Sequence, residues 1–474
     1  MKIAFIFGKG IEGCGVTKGA NIFEEWVAAQ GHETLIIDFD NAQQFDRARL
    51  TKWKGDILKV DRTHTVADMT SVIKAVNACD IMIIHSMPTR KQAEYVDRFR
   101  EFVSCIKDPI IVTHDHGITK QTINMIPQSA EIMAMSDIAV VQSHEGYGRN
   151  AYTELDKGMA DRVTENPIWV RLDEYDVYRK SFEERRKHFL YMGRMSSLKD
   201  PAMIPRIEPH LNMDEWDLSL IGVEKSIASV SMLSKHLEDN PSPYHGAFKA
   251  KILIHTLNAA YNYALPPKEL EKVNTTMNAY TSYKYSWGME QLGGSMAAWC
   301  GYRLRDNLEY GNRMEYTVIE SFLLSLPVIS HHFAENAKSP EGKLWGEYDG
   351  PLVSAAREEG ALADELERIS HNGKEWNERT RACRDIIGKF NDIDAIGQKF
   401  LDFVVSKGKR DNKINFMDAI SEYFPSASQR RASGEVLITS PSSVLTRTPL
   451  TLVDNKQFII TEKPPEVSSL EGFF

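Results

Sequence analysis

Short β-rich, largely apolar runs recur along the first third of the chain, each followed by polar or glycine-rich residues. Ile3–Phe7 opens onto a glycine cluster, Thr34–Ile37 ends in Asp38-Phe39-Asp40, and Ile81–Ile84, Pro109–Val112 and Ile138–Val141 complete the set. Runs apolar on both faces suit strands of a parallel sheet covered by helices on either side. After the first run, Ile22-Phe23 and Trp26-Val27 are spaced to form one buried stripe of a helix, and Gly31 stands where a helix C-terminal cap is expected. The pattern predicts a doubly wound βαβ unit, in which ligands sit beyond the carboxyl ends of the strands.

Around Asn166-Pro167-Ile168-Trp169 the pattern changes, and a charged stretch follows at Arg179-Lys180 and Glu183–Lys187. A second α/β series starts at His188–Met192 and runs through Leu218–Val223 and Ile252–Ile254 to Pro327-Val328-Ile329. Helices are expected over Leu362–Ile369, Trp376–Phe390 and Ile393–Val405. From Ser406 the chain becomes basic and then serine-rich, with Gln429-Arg430-Arg431 and short β-type runs at Val436–Ile438 and Phe458–Ile460. The expected organisation is an α/β unit over 1–165, a second over 166–405 whose final helices pack back, and a small, partly ordered appendage over 406–474.

Composition narrows the class. The chain has 474 residues, 42% of them hydrophobic and 26% charged, which is ample for a buried core. Lys+Arg number 57 and Asp+Glu 66, a net charge of −9, so bulk charge alone would not hold the protein on nucleic acid. A local basic face is still open. Cys14, Cys79, Cys105, Cys300 and Cys383 never form a CxxC pair, which excludes a disulfide scaffold and speaks against a cysteine zinc site. The N-terminal apolar run is too short for a signal peptide, and no stretch approaches the roughly 18 apolar residues of a membrane span. A soluble, cytoplasmic protein is expected.

Four segments can carry chemistry. The loop Gly8-Lys9-Gly10-Ile11-Glu12-Gly13-Cys14-Gly15-Val16-Thr17-Lys18 leads into a helix, where backbone N–H groups can meet an anion. Gly8, Gly10 and Gly13 also satisfy G-x-G-x-x-G, with Asp38 beyond them, so a nicotinamide-dependent oxidoreductase stands as a rival. The glycines continue to Gly15, however, and Cys14-Gly15 occupies the place a phosphate-binding P-loop gives to Lys-Ser/Thr. Gly193-Arg194 with Lys199 follows a strand and can aim two cations at one pyrophosphate. Glu315-Tyr316-Thr317-Val318-Ile319-Glu320 begins an apolar helix; a carboxylate there can accept both hydroxyls of a ribose, or simply face the positive helix end. Thr113-His114-Asp115-His116-Gly117 lies just past the fourth run, where Asp115 can take a proton and His114 can bond a sugar hydroxyl or shape the pocket. Adjacent residues rarely converge on one ion, so His114-Asp115-His116, like Asp38/Asp40 and His331-His332, is a weak metal signal.

Gly10–Lys18, the run Val76–Ile84 with Ser86-Met87-Pro88, and His114-Asp115-His116 resemble the T-even bacteriophage DNA α-glucosyltransferases. So do Gly193-Arg194 with Lys199, Cys300-Gly301-Tyr302, and Glu315-Tyr316-Thr317 with Glu320. The resemblance covers roughly residues 1–400, densely before 150. It implies a GT-B fold, two facing Rossmann-like domains with an interdomain cleft. It also implies retaining transfer of a sugar, glucose by default, from a UDP-sugar to 5-hydroxymethylcytosine in double-stranded phage DNA, which protects that DNA from host nucleases. By residue, it implies a donor site of Gly13, Cys14, Gly15, Val16, Arg194, Lys199, Tyr302, Glu315 and Glu320. Within it, Arg194 and Lys199 hold the diphosphate and Glu320 the ribose. Asp115 and His114 lie at the reacting centre. No tightly bound metal is expected, although a divalent cation can stimulate. The setting implied is the cytoplasm of an infected bacterium, and a monomer is expected.

DNA needs a positive surface. Arg90, Lys91 and Arg303 are the candidates; Arg98 and Arg100 read equally as a solvated helix face. A base inside a duplex cannot reach a buried sugar carbon, so the target nucleotide is expected to flip out. Other readings stay open: a GT-B enzyme using another UDP-sugar, another modified base or a non-DNA acceptor, and a catalytically silent DNA-binding relative.

Overall fold

The computed structural model describes residues 1–8, 15–40, 53–61, 64–86, 93–114, 127–141, 152–165, 168–192, 203–221, 284–299, 316–330, 352–354, 359–411 and 413. The expected run at Ile252–Ile254, His331-His332 and the whole stretch 414–474 lie outside them.

The first sheet holds seven parallel strands in the order β3-β2-β1-β4-β5-β6-β7. They are β1 (Lys2–Phe7), β2 (Glu33–Asp40), β3 (Asp56–Asp61), β4 (Ile81–Ser86), β5 (Ile110–His114), β6 (Ile138–Val141) and β7 (Val163–Glu165). Alternation sorts their side chains. Ile3, Phe5, Phe7, Ile81, Ile83, Val112 and Ile138 enter one apolar cluster, whereas Ala4, Ile6, Met82, Ile84, Ile111 and Ala139 enter the other. The first cluster is covered by α1 (Gly15–Ala29) through Phe23, Trp26 and Val27. The second is covered by α2 (Thr70–Asn77), α3 (Ala93–Ser104) and α4 (Pro127–Met135). Gly31 ends α1 as the sequence implies: its φ is +81°, its N–H reaches Ala28 O at 3.0 Å, and His32 N–H reaches Val27 O at 3.1 Å.

The second sheet has five strands in the order β12-β11-β10-β8-β9, and every pair is parallel. They are β8 (Arg186–Met192), β9 (Asp217–Ile221), β10 (Ser295–Trp299), β11 (Val328–Ser330) and β12 (Leu352–Ser354). A short helix α5 (Asp173–Asp176) precedes it. α6 (Met203–Ile207) and α9 (Glu359–His371) cover Phe189, Tyr191 and Trp299. α7 (Lys284–Gly293), α8 (Tyr316–Leu323) and α10 (Gly373–Phe390) cover Leu190, Ala298 and Val328 on the other face.

The chain then returns to the first sheet. At the crossing, Val170 N–H donates to Asn391 O and Ile393 N–H to Val170 O, each at 2.9 Å. Beyond it, α11 (Ile393–Lys407) lays Ile393, Phe400, Leu401 and Val404 against α1 and the first sheet. Gly397 makes this approach possible, because a Cβ there would lie 2.9 Å from Trp26 Cε2.

Residues 408–411 and 413, within the stretch read from the sequence as an appendage, lie against the first unit. Arg410 is buried; its guanidinium bonds Asp156, and donates to Ser136 O and Ala134 O at 3.0 Å each. Its backbone N–H meets Asp137 Oδ1 at 2.9 Å, and Lys413 Nζ lies 3.0 Å from that same oxygen. Arg162 donates to Gly408 O and Lys407 O, both at 2.9 Å. Among the described residues no helix is long and apolar enough to cross a membrane.

Candidate functional site

The carboxyl edge of the first sheet gathers the ends of β1, β4 and β5. β1 delivers Phe7-Gly8, whose glycine carbonyl accepts from the Tyr95 hydroxyl of α3. Glycine loop residues Gly13 and Cys14 lie outside the described residues; Gly15 and Val16 form the start of α1 and are partly buried. Period-two alternation carries the α1-facing side of β4 from Ile81 and Ile83 to His85, and that of β5 from Val112 to His114. His85 stacks on Phe5 at 5.6 Å and on Phe7 at 5.5 Å between ring centroids. His114 lies 5.3 Å from the His85 ring and 5.2 Å from Trp169, and Trp169 in turn stacks on Phe23 at 4.3 Å.

Both imidazoles are held neutral. Burial pushes the His114 pKa down to about 3. Burial, and then the neighbouring His114, pushes His85 well below 6.5. His114 can therefore exchange hydrogen bonds at this edge without carrying a charge. The pH consequence has a definite sign. Below an unfolded value near 6.5 the unfolded chain binds protons that the folded chain refuses, so stability is complete above pH 6.5 and falls as pH drops towards 3. Each histidine should contribute a slope approaching about 1.4 kcal/mol per pH unit in that window. Urea unfolding from pH 7 to 4 should show this decline, with a shallower decline in His85→Phe; equal slopes would mean His85 is not buried neutral.

Across from this edge stands Glu320, in the middle of α8 and only 4% exposed. The Lys18 ammonium, one turn into α1, lies 2.9 Å from Glu320 Oε1. It also donates to the Tyr175 hydroxyl at 2.6 Å, and Tyr175 OH lies 3.3 Å from the same Oε1. The ammonium sits 4.9 Å from the Tyr175 ring centroid as well. Three segments that are remote in sequence thus converge on one carboxylate oxygen. Lys18, Tyr175, His85 and Trp169 carry no local spacing signal, although Lys18 stands inside the glycine-loop segment.

Of the other expected site residues, Asp115, Arg194, Lys199, Tyr302, Glu315, Arg90, Lys91 and Arg303 lie outside the described residues. Arg100 is in α3, with its guanidinium 3.1 Å from Glu131 of α4. Asp38 is buried within β2 beside Phe7. Among the described residues no group of three or more His, Cys, Asp or Glu is arranged to hold a metal ion.

No protein-family model matches the chain. A curated relative, the DNA alpha-glucosyltransferase of Enterobacteria phage T4, is 30% identical over 122 residues, which are 25% of this chain and 30% of the relative. The match therefore spans less than a third of that relative's length. Among solved structures, an alpha-glucosyltransferase in complex with UDP and a 13-mer DNA containing a central A:G mismatch superposes with a TM-score of 0.60 at 17% identity, over 85% of this chain and 100% of that one. An alpha-glucosyltransferase in complex with UDP-glucose and DNA containing an abasic site gives 0.60 at 16% identity, over 85% and 99%. The Anabaena protein HepE in complex with UDP and glucose gives 0.54 at 10% identity, over 86% and 100%. These likenesses bear out the resemblance read from the sequence, and with the two parallel sheets they show the GT-B fold.

Proposed function

We propose that this protein is a phage DNA glycosyltransferase. It moves a sugar, glucose in the first instance, from a UDP-sugar to the hydroxymethyl group of 5-hydroxymethylcytosine in duplex DNA, with retention. The observation that carries the reading is the buried Glu320 carboxylate of α8, held by a lysine of α1 one turn beyond the glycine loop. A ribose carboxylate on one unit and an anion-receptive helix start on the other are what a nucleotide-sugar needs.

In this reading residues 1–165 receive the DNA, 166–405 the nucleotide-sugar, and 406–474 form the appendage. Glu320, with Glu315 and Tyr302 nearby in sequence, takes the uridine end of the donor. Arg194 and Lys199 hold the diphosphate, and the Gly13-Cys14-Gly15-Val16 backbone lies along diphosphate and sugar. Arg90, Lys91 and Arg303 bind DNA phosphates in a salt-dependent way. The flipped base brings its hydroxymethyl oxygen to the anomeric carbon. The bond from that carbon to the β-phosphate oxygen breaks and UDP leaves. The bond to the hydroxymethyl oxygen forms, and the hydroxyl proton passes to Asp115. His114, neutral and buried beside it in sequence, shapes the acceptor edge. The modification would shield phage DNA from nucleases in the host cytoplasm, with the enzyme acting as a monomer.

The test is transfer to duplex DNA containing 5-hydroxymethylcytosine from a panel of UDP-sugars, read by mass spectrometry of the digested nucleosides. A hexose increment on the modified base is expected with UDP-glucose, and the anomeric coupling constant by NMR should report the α-linkage. UDP binding without any increment would remove this acceptor, and an increment from another donor would change the sugar. Absence of UDP binding would sink the glycosyltransferase reading.

A further inference from the structure

Glu320 Oε1 receives both Lys18 and Tyr175, and Lys18 also bonds the Tyr175 hydroxyl. The ring of contacts closes on one carboxylate oxygen. It draws its members from α1 of the first unit, from α5 at the start of the second, and from α8 behind the second sheet. Tyr175 is fully buried and packs in the same apolar cluster as Val318 and Ile319 of α8, so its hydroxyl cannot swing away. The Lys18 side chain is 21% exposed and that of Glu320 5% exposed, so this pair is only lightly screened by solvent.

We infer that Lys18 is a positioning residue of the donor site, acting through Glu320. This rests on the reading of Glu320 as the ribose carboxylate. The ammonium sets the orientation of the carboxylate and offsets its charge. Without that charge the carboxylate would be left uncompensated in a poorly hydrated place and would lose its fixed orientation towards the ribose hydroxyls. Because Lys18 belongs to the first unit, ribose binding by the second unit then depends on the first being in contact.

The full chain should be titrated calorimetrically with UDP and with uridine, which carries the ribose and no phosphate. Lys18→Met should weaken both ligands alike, by about tenfold, and Lys18→Arg should restore most of the loss. In a Glu320→Gln background the same Lys18→Met change should add less than about twofold, because the partner it acts through has lost its charge. Tyr175→Phe removes one hydroxyl and keeps the packed ring; it supplies a second arm should Lys18→Met not fold, and should weaken both ligands about threefold. A tenfold loss that persists in the Glu320→Gln background would overturn the route through Glu320. So would a loss for UDP with none for uridine, which would make Lys18 a phosphate ligand. Unchanged affinities in Lys18→Met and Tyr175→Phe would overturn the positioning role while leaving the donor reading intact. A wild-type chain that binds neither ligand would overturn the donor reading and this inference together.

Discussion

Replacing Glu320 by alanine is expected to weaken UDP about a hundredfold and to lower kcat/KM by at least as much. The carboxylate is the assigned acceptor for two ribose hydroxyls, and each hydrogen bond to a charged group contributes about 1.5–3 kcal/mol. Two of them, partly offset by water entering the vacated space, correspond to about two orders of magnitude. The variant also strips Lys18 of the partner 2.9 Å away. Glu320→Gln keeps the size and one acceptor oxygen but not the charge, and should fall between, about tenfold weaker. Calorimetric titration with UDP decides the point. Unchanged affinity in the alanine variant would take the ribose role from Glu320 and leave its pairing with Lys18 as a structural contact.

The largest loss of stability is expected from Arg410→Ala. Its side chain is only 4% exposed and bonds Asp156, while two backbone carbonyls at the end of α4, Ala134 O and Ser136 O, accept from its Nη2 and Nε. Removing the guanidinium leaves a buried carboxylate and both carbonyls without that partner. Truncating one side of a buried ion pair costs about 3–5 kcal/mol. Asp137 is spared the full effect, because Ile111 N–H at 2.8 Å and Lys413 still reach it. Arg410→Lys should recover part of the loss, since a lysine carries the charge without the planar fork. Denaturant midpoints measure the difference, and hydrogen exchange should show α11 and α4 opening first. A midpoint within experimental scatter of the wild type would mean the strap adds nothing to the fold.

What could be read from the sequence follows burial. β1, β4, β5 and β6 are apolar on both faces because helices cover both, and such runs announce themselves. β3 (Asp56–Asp61) does not, because it is an edge strand whose Asp56, Ile57 and Lys59 are exposed. β7 and β12 are three-residue edge strands, too short to show a period. β10 is central and wholly buried, yet its Ser295-Met296-Ala297-Ala298-Trp299 has no β-branched residue and follows two glycines. Small side chains there fit the close approach of α7 and α9 rather than a strand propensity. At the candidate site, the sequence singled out Glu320 within an apolar helix, and the structure puts it there, buried in α8. Lys18 and Tyr175 were not legible, because they reach Glu320 across 302 and 145 residues of chain, and no local spacing encodes such a meeting.

The return of α11 to the first sheet has a consequence for synthesis on the ribosome. One face of that sheet is finished only when Ile393, Phe400, Leu401 and Val404 arrive, and the last ties among the described residues come with Arg410 and Lys413. Among the described residues, the strands of the first sheet and the other members of this cluster have all been made by Trp169, more than 200 residues earlier. At roughly 5–20 residues per second the nascent first unit waits for tens of seconds with part of its α1 side uncovered. Phe23, Trp26 and Trp169 are the groups left waiting. During that interval the half-made protein is a natural client for a holdase chaperone, and the arrival of α11, rather than completion of the N-terminal sequence, is the event that closes this face of the first core.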